Sequence, residues 1–153
     1  MSVPASPEQL HGALMYCINF AKTMLEDAGD FYPFGAMLTA DGQVTAIGGD
    51  LRDPRPDQQQ LFQFLSAALS AEVRSGRAVG VALAANVNIP PQYTAKFRDG
   101  LRVQLESRGF ARLIYVPYQL KRTGLLRRSI AVDFDEPFSV EVAATLFPAP
   151  DGV

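Results

Sequence analysis

Apolar residues recur at three- and four-residue spacing through Leu10, Ala13, Leu14, Cys17, Ile18, Ala21, Met24, Leu25 and Ala28. That period puts them on one broad stripe of a helix. Ser6 followed by Pro7, Glu8 and Gln9 has the form of a capping box, with proline at the first helical position, where its missing N–H costs nothing. Gly29 supplies the stop. The period then shortens to two. Pro33 forces Tyr32 into an extended conformation and cannot donate to a ladder, so residues 31–35 read as the beginning of an edge or terminal strand segment. Residues 34–40 and 43–49 are extended runs joined by Asp41-Gly42, a pair suited to a tight type I′ hairpin.

Gly48, Gly49, Asp50, Pro54 and Pro56 mark a polar connection, after which Asp57 and Gln60 repeat the cap pattern. Leu61, Phe62, Phe64, Leu65, Ala68, Leu69 and Val73 then predict a second amphipathic helix that ends near Gly76. Residues 78–89 are almost uninterruptedly apolar, as expected of a mid-sheet strand buried on both faces at its start. Pro90 and Pro91 end it. Leu101, Val103 and Leu105 alternate with Arg102, Gln104 and Glu106, which predicts a half-buried strand with a charged outer face. A returning strand is expected over 110–118, a polar break over 119–128 and a short strand over 129–134. The tail from residue 136 holds one apolar stretch, 140–147, whose docking the pattern leaves open.

The order α-β-β-α-β-β-β-β predicts an α+β fold: one largely antiparallel sheet of about five to six strands with two main helices packed against it. This order is similar to that of profilin-like and roadblock-like folds, an analogy that carries no function. A length of 153 residues fits one domain, with an ordered core expected over 6–135. Hydrophobic residues make up 48% and charged residues 20%, a globular rather than a disordered balance.

A net charge of −2 gives no overall electrostatic reason to bind nucleic acid. One cysteine, Cys17, cannot form an internal disulfide, and the N-terminus lacks the pattern of a signal peptide. A cytoplasmic setting without membrane insertion is the expectation. No cofactor or metal is expected. Gly48-Gly49 lacks the Lys-Ser/Thr pair of a phosphate loop, and Asp133, Asp135 and Glu136 lack the glycine of a calcium loop. Glu26, Asp27 and Asp30 read more simply as a solvated helix end than as a cation site. His11 and Cys17 lie six positions apart on one helix and therefore do not meet. The aromatic group Phe31, Tyr32 and Phe34 reads as core packing, with alternation placing Tyr32 and Phe34 on one face.

Charge is unevenly laid out. Between Glu106 and Asp133 there is no acid, while Arg108, Arg112, Lys121, Arg122, Arg127 and Arg128 fall there; after Arg128 there is no base, while Asp133, Asp135, Glu136, Glu141 and Asp151 follow. The plainer reading is cross-strand neutralisation. The sharper one is a basic loop for an acidic partner.

Two function classes stay open. The first is a non-enzymatic protein–protein interaction or accessory protein, homodimers included, which uses a sheet edge or the basic loop Lys121, Arg122, Arg127 and Arg128. The second is a small-molecule binding domain or weakly specified enzyme, with a pocket near Tyr93, Phe97, Arg112 and Tyr118, since pockets combine aromatics with a few polar groups.

Gly29-Asp30-Phe31-Tyr32-Pro33-Phe34-Gly35-Ala36 with the Asp41-Gly42 turn, and more weakly Leu105-Glu106-Ser107-Arg108-Gly109 and Val116-Pro117-Tyr118, resembles small uncharacterised bacterial single-domain proteins. That family has a Gly-acid-Phe-Tyr-Pro-Phe-Gly-Ala stretch and no assigned activity. The resemblance implies a bacterial single-domain protein and assigns no functional residue.

Overall fold

A computed structural model describes residues 4–48, 57–124 and 129–148. Arg127, Arg128, Asp151 and the whole 49–56 stretch of the polar connection lie outside them. The elements are α1 (Pro7–Ala28), β1 (Phe34–Thr39), β2 (Val44–Ile47), α2 (Gln58–Arg74), β3 (Ala78–Asn88), a 3₁₀ turn (Pro91–Tyr93), β4 (Asp99–Ser107), β5 (Phe110–Thr123), β6 (Ser129–Phe134) and β7 (Phe138–Glu141). The fold is α+β, with a wholly antiparallel sheet in the order β2-β1-β3-β4-β5-β6, and β7 paired to the early part of β5. No described helix is long and apolar enough to cross a membrane.

The helices cover opposite faces of the sheet. Leu10, Ala13, Leu14, Cys17, Ala21 and Leu25 of α1 pack on Ala82, Ala84, Leu101, Val103, Leu105, Ile114 and Val116. Leu65 and Leu69 of α2 pack on Val81 and Leu83 from the other side, together with Leu146 and Phe147 of the tail. Both faces are apolar because β3 is buried continuously from Ala78 to Ala85.

The α1 cap forms as expected: Gln9 N–H donates to Ser6 Oγ, and Ser6 N–H donates to Gln9 Oε1. Gly29 ends the helix in the left-handed region, at φ 74°.

Several expectations need correction. The hairpin loop spans three residues, Ala40 to Gly42, closed by Thr39 N–H to the Gln43 carbonyl at 2.9 Å. Gly42 alone in the loop has positive φ, at 88°. This is the three-residue turn with a left-handed closing glycine, because a type I′ turn would need Asp41 in that region too. β1 is an interior strand; Pro33 precedes its first ladder residue, so the missing N–H deletes no bond. Phe31 is buried against Phe34 with ring centroids 5.8 Å apart, while Tyr32 is exposed, because 31–33 lie ahead of the strand and its alternation.

β5 runs on to Thr123 through residues assigned to a polar break, because Gln119 to Thr123 pair with β6. The described part of the tail docks as β7 and a strap, residues 142–148. The outer face of β4 is not a charged solvent face: Glu106 is 0% exposed, covered by that strap.

Cys17 is fully buried, and burial pushes its thiol up to about 12 from 9.0. The folded chain holds this proton to about pH 12, while the unfolded chain releases it above about 9. The unfolded state therefore binds fewer protons above 9, and stability falls as pH rises from there toward 12; below 9 the contribution is complete. Denaturant titrations across that range are expected to show a loss approaching about 1.4 kcal/mol per pH unit from this group. Cys17→Ala should flatten the curve, and an unchanged slope would exclude Cys17 as its source.

Candidate functional site

At the open end of the β1–β2 hairpin an apolar cleft of about 170 Å³ runs between the two helices. Its α1 wall is Tyr16, Phe20 and Met24, its floor Phe31 to Gly35, its α2 wall Leu61 and Leu65, and its outer rim Ala46, Ile47 and Gly48. Rings lead from surface to core: Tyr16 stacks on Phe20 at 6.3 Å, Phe20 meets Phe34 at 4.5 Å, and Phe34 meets buried Phe31. Phe20 and Tyr32 are 39% and 40% exposed, far more than packing in a closed core would leave them.

β2 bounds this cleft and has no neighbour on its outer side among the described residues. Since Thr39 and Gln43 are a hydrogen-bonded pair, antiparallel alternation turns the N–H and C=O groups of Thr45 and Ile47 toward β1 and those of Val44 and Ala46 outward.

The residues proposed from sequence are not gathered in one place. Tyr93 lies on the α2 side, packed 5.5 Å from Tyr115 and 5.6 Å from Phe138. Phe97 borders a shallow depression of the 88–98 loop, with Lys96 Nζ over its ring at 5.3 Å. Arg112 stacks 4.8 Å from the Phe110 ring and faces Glu141 of β7 at 3.8 Å.

Tyr118 is buried on the α1 side. Its hydroxyl donates to Asn86 Oδ1 at 2.6 Å, Asn86 Nδ2 donates to Asp30 Oδ1 at 2.7 Å, and the same oxygen accepts the Phe31 N–H at 2.8 Å. Burial pushes the Tyr118 phenol up to about 12, so it is a fixed donor that ties β5 and β3 to the end of α1.

Of the basic group, Lys121 lies 3.9 Å from Asp133 across β5 and β6. Together with Arg112–Glu141 this is the cross-strand neutralisation of the plainer reading. Arg122 lies over the end of α1: its Nη2 is 3.0 Å from where a side chain on Gly29 would begin. A cation there suits the helix dipole, which the acids Glu26 and Asp27 oppose.

Of the α1 wall, Met24 belongs to the predicted apolar stripe, whereas Tyr16 and Phe20 do not. Tyr16 and Phe20 continue at four-residue spacing to Met24 of the main stripe and widen it on one side. An apolar arc wider than one sheet contact needs was the available signal. The chain matches no protein-family model, no curated protein and no solved structure, so the site is read from its own geometry.

Proposed function

We propose that this is a non-enzymatic interaction protein whose aromatic cleft seats a bulky apolar side chain of another polypeptide. The observation that carries the reading is the pairing of the cleft with two exposed rings, Phe20 and Tyr32, at its mouth. Drug-sized ligands occupy about 300–1,000 Å³ and need a few convergent polar groups. This cleft is smaller and almost wholly apolar, the form of a pocket that takes one hot-spot anchor. The outward groups of Val44 and Ala46 lie alongside, so an extended segment can add to β2 while its side chain enters the cleft. Cys17 supports the reading, because a buried thiol held protonated is no nucleophile. A reducing, cytoplasmic setting suits that free thiol.

The test is selection of displayed peptides on the immobilised protein. Enriched peptides should share a large aliphatic or aromatic residue and bind the Phe20→Ala/Tyr32→Ala double variant at least about tenfold more weakly. Ala46→Pro removes one outward N–H and leaves the β1 ladder intact, so it should weaken binding separately. Peptides that bind wild type and double variant alike would overturn the proposal. Sedimentation at several concentrations shows whether a second copy of the chain serves as the partner.

A further inference from the structure

On the α2 side of the sheet, alternation aligns Arg102, Gln104 and Glu106 of β4 in one row. These residues do not neutralise one another. Glu106 is occupied by backbone N–H groups of the strap, and Gln104 donates to it at 2.6 Å. Arg102 stands four residues away, about 13 Å along a strand. Its guanidinium carbon lies 5.7 Å from the centre of the Phe62 ring on α2. Its Nε is buried with no hydrogen-bond partner among the described residues. Among the described residues no carboxylate comes within ion-pair distance of it, whereas Arg77, Arg112 and Lys121 each have one.

A buried guanidinium N–H without an acceptor is costly unless a ligand supplies one. Directly opposite Arg102 is Tyr115, stacked on Phe138 at 5.3 Å with half-buried Tyr93 leaning on both. Arg102 is itself half-buried, so part of it reaches solvent beside these rings. A guanidinium held against one aromatic ring, with other rings on the neighbouring strands, matches a planar carboxylate, which it can bind bidentately, and the rings match a flat body attached to that carboxylate.

We propose that Arg102 binds the carboxylate of a small ring-bearing ligand, with Phe62 stacked on the guanidinium and Tyr93, Tyr115 and Phe138 beside it. The site shares no residue with the cleft lining, so either can fail without the other.

The test is titration with benzoate, followed by the Arg102 Nε–H and tyrosine ring signals in NMR. Benzoate should shift these signals, and neutral benzamide should shift them at least about tenfold less. Arg102→Met keeps the packing stem and should abolish the response, while Arg102→Lys, without the planar fork, should weaken it. Circular dichroism of the variants establishes that they are folded. If a peptide ending in phenylalanine binds more tightly than benzoate, and its amide does not, the carboxylate comes from a chain end and the site stands. Equal responses to benzoate and benzamide, or to benzoate in wild type and Arg102→Met, would overturn the proposal.

Discussion

Replacement of Glu106 by alanine is expected to lower the unfolding free energy by about 3–5 kcal/mol, read from urea or guanidinium titrations. The side chain is wholly buried. Its Oε1 accepts the N–H groups of Leu146 at 2.9 Å, Phe147 at 3.0 Å and Thr145 at 3.1 Å. Its Oε2 accepts from Gln104 and from the Thr145 hydroxyl. The carboxylate therefore holds three successive strap N–H groups that no ladder satisfies. Without it, the N–H groups of buried Leu146 and Phe147 lose their acceptor, at about 1–3 kcal/mol each. The strap should then become an early site of proteolysis. Glu106→Gln keeps an acceptor oxygen but no charge and should fall between the two proteins. An alanine variant within about 1 kcal/mol of wild type would show that the strap is held by Leu146 and Phe147 packing alone.

Leu69→Ala should cost about 2–5 kcal/mol. Leu65 and Leu69 are the buried residues of α2, with Leu61, Phe62 and Val73 partly buried around them, so the two leucines are the centre of its contact with the sheet. Leu69 reaches so close to β1 that a Cβ at Gly35 would stand 3.2 Å from its Cδ1. The second glycine of the Gly29-to-Gly35 stretch is thus a packing site, where the absent side chain admits a leucine. Since Leu65 is also a wall of the cleft, a loosened α2 should reduce peptide capture along with stability. Leu69→Met, close in volume, should cost less than about 1.5 kcal/mol. If alanine and methionine were equally mild, the attachment of α2 would lie elsewhere.

The helices, the hairpin and the mid-sheet place of residues 78–89 were legible because each rests on local chemistry: Ser6 with Gln9, Asp57 with the N–H groups of Gln59 and Gln60, and unbroken apolarity in β3. The alternation in β4 was also legible, but its meaning was not. Arg102, Gln104 and Glu106 look like a solvent face until a second helix and a distant strap cover them. The cleft was hidden for a similar reason. Its walls come from α1, β2, α2 and residues 31–35, and no spacing within one segment reports that assembly. Among the proposed site residues, Arg112 and Lys121 were visible as charges, while their acidic neighbours became apparent only through strand register.

The sequence by itself determined where α1 and α2 begin and end, where the β1–β2 hairpin turns and which side of each helix is apolar, since caps, turns and periodicity act within a few residues; the end of β5 and the strand β7 depended on pairing across the sheet. Tertiary structure alone decided which helix covers which face, that the tail returns to bury Glu106, and that Arg102 faces rings with no carboxylate beside it among the described residues. Those outcomes depend on contacts such as Glu106 with Leu146, 40 residues apart, where closure of the chain brings together groups that carry no mark of each other in the sequence.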